Sequence, residues 1–355
     1  MKALITGANG LIGANLAREL QPRVSILRAL VRRSSQLDAL NGVEIECIVG
    51  DVLEKPEYLV PAMQGCEVVF HTAARFAYSG ISSAELTRTA VVGTENVIRA
   101  AALAGVRRVV VTSSSIVFGS SAEPVVRDES DTIGAINEID GYKESDYAVS
   151  KVLQDEAASA LGKRLSIEVV FACPTMSVGA HGTTLGPSNG IIVSYLSDPW
   201  RMTFPGGCNI ASAQDVALGH WLAATRGKPY EHYLLGGENL TWEQIHKIVA
   251  EQCGVAPPRL RINHTLAFCA ASIEEVRAKL TKRSPLTTLH QARMLGRYYW
   301  YAHAKAASLG YAPRSARSAL AQACAWLSGS PHVSRELRAT MLLGPEVYAA
   351  RKLSH

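Results

Sequence analysis

The sequence predicts an α/β protein: a doubly wound parallel sheet with helices on both faces, plus a smaller mixed α/β unit. Three observations predict it. Short apolar runs alternate with helical patterns from residue 1 to about 175. Three glycines at three-residue spacing follow the first run. A tyrosine and a lysine stand four residues apart in Tyr147-Ala148-Val149-Ser150-Lys151. Strand–helix alternation implies a parallel sheet covered on both sides.

The first run, Ala3 to Ile5, reads as a short buried strand. Thr6-Gly7-Ala8-Asn9-Gly10-Leu11-Ile12-Gly13 then turns into an apolar-periodic helix from about Leu11 to Leu20. Glycines here permit a tight turn, close backbone approach to a pyrophosphate, and close helix–strand packing. The pyrophosphate would sit on the helix N-terminus. Gly7, Asn9, Gly10, Leu11, Ile12 and Gly13 are therefore candidate cofactor-binding residues.

Further apolar runs lie near 26–31, 44–49, 67–71, 108–113 and 167–172. Thr6, Arg32, Asp51, Thr72, Ser114 and Pro174 fall at the end of such a run or just after it. They should converge on the carboxyl edge of the sheet, where open α/β sheets place their sites. NAD binders usually carry an acidic residue after the second strand, for the ribose 2′-hydroxyl. This chain has Arg32-Arg33-Ser34-Ser35 there. A guanidinium suits a 2′-phosphate, so NADP(H) is expected, with Arg32 first and Arg33 and Ser34 as helpers. NAD(H) is the alternative. Asp51 and Val52 would flank the adenine.

Tyr147 and Lys151 share one face of a helix. An ammonium beside a phenol favours the phenolate and lowers its pKa. Such a tyrosine is a usable general acid or base near neutral pH. Tyr142 has Asp146 four residues on, which would raise a phenol pKa, so it reads as a surface or loop residue. His71 lies inside an apolar strand and reads as a satisfied core histidine.

Composition bounds the remaining readings. The chain has 355 residues, 48% hydrophobic and 19% charged, with net charge +5. Basic residues are scattered, so no nucleic-acid footprint is read. Seven cysteines without a C-x-x-C argue against a disulfide framework or a metal site, and for a reducing compartment. No apolar stretch approaches the ~20 residues that span a bilayer. The chain begins directly in a strand with no signal peptide visible, and a cytoplasmic location is expected.

Further landmarks follow in order. They are Gly50-Asp51-Val52, His71-Thr72-Ala73-Ala74, Val91-Val92-Gly93-Thr94, Thr112-Ser113-Ser114-Ser115, Pro174-Thr175-Met176, Asp215-Val216-Ala217 and Leu309-Gly310-Tyr311. With the glycine turn and the Tyr–Lys pair, the chain resembles the extended short-chain dehydrogenase/reductase superfamily over roughly residues 1 to 330. Within it the chain is most similar to dihydroflavonol-4-reductase-like and hopanoid-associated sugar-epimerase-like proteins, through Gly186-Pro187-Ser188-Asn189-Gly190 and Leu235-Gly236-Gly237.

The resemblance implies a Rossmann-type cofactor domain at 1–175, rejoined by about 210–236. It implies a substrate domain at 176–209 and 237–330, and leaves 331–355 as a C-terminal extension. There, Glu336 to Arg351 could form one amphipathic helix, as a solvated tail or dimer contact. It also implies catalysis by Ser114, Tyr147 and Lys151. Counting back from Gly119 selects Ser114; strand alternation turns Ser113 to the other face, and Ser115 is the fallback. Thr72, Ala73, Ala74, Pro174, Met176 and Ser188 would join the cofactor site. Phe76, Tyr78, Ser115 and Met176 would line the substrate pocket. No metal is implied. A homodimer through residues 84–104 and 146–162 is expected by analogy.

Two departures stand out: Ala90 replaces an asparagine common in the family, and Gly179-Ala180-His181-Gly182 replaces Gly-Pro-Arg-Asp. The expected function is NADPH-dependent reduction of a ketone or aldehyde in a small, largely apolar molecule. Alternatives are a nucleotide-sugar epimerase or dehydratase using Arg201, Arg259, Arg261 or Arg293, a hydroxysteroid-type dehydrogenase, and a non-catalytic NADP-sensing scaffold.

Overall fold

The computed structural model describes all residues except 75–81, 132–137, 140, 141, 144, 264–271, 273–275, 278–294, 354 and 355; for 138, 139, 142, 143 and 353 it describes backbone alone. The chain runs β1 (Lys2–Thr6), α1 (Leu11–Leu20), β2 (Ile26–Val31), β3 (Glu46–Val49), α2 (Pro56–Met63), β4 (Val68–His71), α3 (Ser83–Leu103), β5 (Arg108–Thr112), β6 (Glu138–Ile139), β7 (Tyr142–Lys143), α4 (Asp146–Leu165), β8 (Glu168–Pro174) and β9 (Met176–Val178). It continues through α5 (Pro187–Ser197), β10 (Met202–Thr203), β11 (Gly207–Ser212), α6 (Ala213–Arg226), β12 (His232–Leu235), β13 (Glu238–Thr241), α7 (Trp242–Cys253), β14 (Leu260–Arg261) and β15 (Tyr298–Tyr299). The described elements end with α8 (Ala304–Ala307), α9 (Ala316–Gly329), α10 (Arg335–Ala339) and α11 (Pro345–Leu353).

Seven strands form one parallel sheet in the order β3-β2-β1-β4-β5-β8-β12. The order reverses between β1 and β4, the switch point at which such sheets bind ligands. Each apolar run seen in the sequence coincides with one of these strands. β4 and β5 are buried along their whole length, as expected of strands covered on both faces. Alternate residues face opposite layers. Leu4, Val69, Val109 and Phe171 pack with Leu59, Ile98 and Leu161 of α2, α3 and α4. Ile5, Phe70, Val110 and Val170 pack with Leu16, Leu20 and Val216 of α1 and α6.

A smaller sheet, β13-β11-β15 with β9 against β11, carries α5, α7 and α9. β11 therefore lies in the smaller sheet, whereas α6 and β12 complete the main layer. The C-terminal segment is two helices, not one, because Pro345 starts a new helix and cannot extend an old one. It is not a solvated tail: Val333 and Val347 are fully buried, and Leu342 and Gly344 N–H groups bond the Cys253 and Gln252 carbonyls of α7.

Candidate active site

The turn after β1 is as tight as its glycines suggest. Gly7 has φ +73°, and a Cβ there would lie 2.7 Å from the Ala73 backbone. A Cβ on Gly13 would lie 2.2 Å from the Gly7 carbonyl oxygen. Gly10 N–H bonds that same oxygen at 3.1 Å. α1 begins at Gly10 with no side-chain cap and no acidic residue in its first turn. Its first N–H groups, at Leu11, Ile12 and Gly13, have no intrahelical acceptors and carry the positive end of the helix dipole. This arrangement fits a dinucleotide pyrophosphate.

The other expected cofactor residues fall at several places in the fold. Arg32 follows β2 and is exposed, in a turn closed by Ser35 N–H on its carbonyl at 2.9 Å. Arg33 and Ser34 beside it are exposed too. Asn9 Nδ2 donates to the Gln36 carbonyl at 3.2 Å, tying the two turns together. Asp51 Oδ1 accepts from Leu53 N–H at 3.0 Å, and Val52 is buried. Thr72 Oγ1 donates to the Thr6 carbonyl at 2.7 Å, which holds Ala73 and Ala74 beside Gly7. Pro174 ends β8, Met176 is half-buried against Cys208, and Ser188 lies in the first turn of α5. Phe76 and Tyr78 lie outside the described residues.

Tyr147 stands in the first turn of α4, which Ser145 caps by accepting from Ala148 N–H at 3.1 Å. The Tyr147 phenol is hydrogen-bonded with the Ser114 hydroxyl. Ser114 reaches it from the N-cap of a single turn, Ser115–Phe118, that follows β5. Ser113 points elsewhere and donates to Asp155 Oδ2, and Ser115 is buried. Lys151 is buried, with Nζ donating to the Thr112 carbonyl at 2.8 Å and to Gln154 Oε1 at 3.0 Å.

The electrostatics differ from the expected lysine-lowered phenol. Burial pushes Tyr147 up to about 12; the Ser114 hydrogen bond opposes this and the Asp155 carboxylate adds to it. The ammonium of Lys151 is spent on Thr112 and Gln154. Burial lowers Lys151 itself to about 8, against the pull of Asp155. Tyr147 is thus a neutral phenol at physiological pH, a proton donor in waiting. Lys151 is charged below about 8 and neutral above it. If turnover needs the ammonium, carbonyl reduction should fall as pH rises through about 8. A pH profile of kcat checks this; a rate that stays flat through the alkaline range would contradict it.

His71 is a core residue, held between Thr6 Oγ1 at 2.8 Å and Thr94 Oγ1 at 2.9 Å. Burial lowers it to about 3, so it is neutral. The side chain of Tyr142 lies outside the described residues.

Sequence reasoning missed several supporting side chains. Gln154 sits three residues past Lys151, a spacing that marks a helical neighbour. Asn209 accepts from Thr175 Oγ1 at 2.8 Å and donates to Asn239 Oδ1 at 2.7 Å, fixing the Pro174 loop to the smaller sheet. The Ala180–Thr183 segment crosses the glycine turn: Asn15 Nδ2 donates to the Ala180 carbonyl and Thr183 Oγ1 to the Asn9 carbonyl, both at 2.8 Å. The signal for the last was the unusual Gly179–Gly182 stretch.

Fold and site define an NAD(P)-dependent enzyme of the extended short-chain dehydrogenase/reductase class. Residues 3–201 match the NAD dependent epimerase/dehydratase family, and the chain belongs to it. It is 31% identical over 337 residues to a Synechocystis protein described as "Putative dihydroflavonol 4-reductase", covering 94% of this chain and 96% of that one. It is 31% identical over 334 residues to "Sterol demethylase protein B" of Methylococcus capsulatus, covering 92% and 98%. The crystal structure of gox2253 superposes with TM-score 0.80 at 30% identity, covering 94% of this chain and 99% of that one. Among the described residues no helix is long and apolar enough to cross a membrane.

Proposed function

We propose that this enzyme is an NADPH-dependent reductase of a ketone or aldehyde in a small, largely apolar molecule. The observation that carries the reading is the buried, neutral Tyr147 phenol hydrogen-bonded to Ser114. A reductase needs its acid protonated before turnover, and this one is. Gly7, Asn9, Gly10 and the first turn of α1 would hold the pyrophosphate. Lys151 would hold the nicotinamide ribose, and Pro174, Met176 and Ser188 would lie on the nicotinamide side. When bound, the nicotinamide supplies a hydride. Tyr147 gives its proton to the substrate oxygen, and Ser114 donates a hydrogen bond to that oxygen as charge develops. Met176, Ser115, Phe76 and Tyr78 would shape the pocket.

NADPH is chosen for Arg32, exposed at the end of β2 where an acidic residue would select NAD. Arg32→Ala should weaken NADPH binding by about 30-fold, on the order of 2 kcal/mol, with NADH binding little changed. Fluorescence titrations of both cofactors check this; equal losses would remove Arg32 from the 2′-phosphate site.

The name of the Synechocystis relative supports a ketone substrate. The name of the Methylococcus relative favours, as a second reading, a hydroxysteroid-type dehydrogenase. Against a diphosphate clamp for nucleotide sugars, Arg201 donates to the Tyr195 and Leu196 carbonyls, and Arg259 and Arg261 are exposed around β14. Arg293 lies outside the described residues. The test is near-ultraviolet absorbance of NADPH, then NADH, with a panel of aldehydes, ketones and nucleotide sugars. Net NADPH loss with an apolar carbonyl compound is expected. No net loss with any compound, and a cofactor that stays bound through gel filtration, would favour an epimerase cycle. The homodimer through α3 and α4 is part of the same proposal, tested by light scattering.

A further inference from the structure

A second polar cluster lies behind the Tyr–Lys pair, and the chemistry above does not use it. Asp155 is one helical turn past Lys151 on α4 and is 6% exposed. Its Oδ2 accepts from Ser113 Oγ and lies 3.1 Å from His232 Nε2. Among the described residues its buried Oδ1 has no hydrogen-bond partner. A buried carboxylate oxygen left unpaired is costly, and such sites ordinarily hold a proton or a water.

His232, at the start of β12, has a side chain 26% exposed, against 7% for that of Asp155. Its ring is fixed by stacking on Phe171 at 4.3 Å and by an edge contact with Phe118 at 6.0 Å. The cluster therefore reaches from solvent on the flank of the sheet to the helix that carries Lys151. Two of the three Lys151 ammonium hydrogens are used, on Thr112 and Gln154. The Asp155 charge acts on both Lys151 and Tyr147. α3 offers no relay group at Ala90, which is buried and apolar, and its Thr94 is engaged by His71.

We propose that His232 and Asp155 are a proton route from solvent to Lys151, resting on the reading that Tyr147 protonates a substrate oxygen. In one reductive turnover Tyr147 loses one proton to that oxygen and regains it from Lys151. Lys151 regains it from Asp155 Oδ1 through one water. Asp155 takes a proton from His232 on Oδ2 and brings it to the inner position by a half-turn of its carboxyl group, and His232 takes one from solvent. Only O–H and N–H bonds change on this route, and one proton enters per hydride transferred. The other titratable groups around it are Cys173 on β8, Glu129, whose Oε1 accepts from Leu234 N–H, and Glu231, paired with Lys305. Burial and the Asp155 charge hold the Cys173 thiol well above its ordinary value, so it stays protonated.

The test is His232→Gln in the full chain, which keeps a side-chain donor toward Asp155, with Asp155→Asn as the second variant. With a carbonyl compound the parent reduces, kcat should fall about tenfold, with KM and Tm nearly unchanged. The solvent deuterium isotope effect on kcat should rise, and added imidazole should restore rate to His232→Ala. Unchanged kcat and isotope effect in a folded His232→Gln protein would overturn the route. If the parent reduces no carbonyl compound, the reductase reading is what has failed. The route is then read without substrate, from NMR exchange of the Lys151 ammonium hydrogens with water. That exchange should slow about tenfold in His232→Gln, and an unchanged rate would overturn the route.

Discussion

Tyr147→Phe is expected to lower kcat by about a thousandfold. The substitution removes one oxygen and keeps the ring. α4 retains its Ser145 cap, and Lys151 retains its bonds to Thr112 and Gln154, so the protein should fold and bind NADPH within a few-fold of the parent. What is lost is the phenol proton that burial keeps in place beside Ser114. Single-turnover kinetics beside an NADPH fluorescence titration separate the two quantities. A residual rate above about a tenth of the parent would remove Tyr147 from proton transfer. Full loss of cofactor binding would mean a structural role. A scaffold that merely senses NADP would keep its cofactor affinity and show no turnover to lose.

The second large effect is at the glycine turn. A Cβ on Gly13 meets Gly7 O at 2.2 Å and Ala8 Cα at 2.7 Å, and both are backbone atoms that cannot swing aside. Gly13→Ala should therefore destabilise by about 3 kcal/mol and abolish saturable NADPH binding, because the turn must open to relieve the clash. Gly10→Ala is the control. Its φ is −78°, and its nearest neighbour to a new Cβ is Gly7 O at 3.4 Å, an ordinary contact. Its stability should change by less than about 1 kcal/mol. Thermal melts of the two variants check the contrast; equal destabilisation would mean that close packing at Gly13 does not govern the turn.

Much of the main sheet was legible because its signals are local. Apolar runs marked the strands, and glycine spacing marked the turn. The four-residue Tyr–Lys interval marked a shared helix face. Ser114 was selected by counting back from Gly119. Strand alternation put Ser113 on the opposite face, yet Ser113 bonds Asp155 on α4, the helix that also carries Tyr147. The features that were not legible depend on distant partners. Asp155 and His232 are 77 residues apart, and Asn209 meets Tyr301 across 92. The sign of the Tyr147 shift was misread for the same reason. A four-residue spacing places a lysine near a phenol, but burial depends on the tertiary structure; here burial and the Asp155 carboxylate raise the phenol, and what opposes them is the Ser114 hydrogen bond. The C-terminal helices read as a solvated amphipathic face, since α7, against which the segment is held, lies far back in the chain.

The central claim is that this site moves a hydride and a proton onto a carbonyl group with net oxidation of NADPH. Its most direct test is deuterium transfer from 4-deuterated NADPH, followed by mass spectrometry of the products of an aldehyde and ketone panel. One deuterium on the former carbonyl carbon for each NADPH oxidised is the expected result. Interconversion of a nucleotide sugar with no net NADPH oxidation, and no deuterated alcohol from any carbonyl compound, would contradict it.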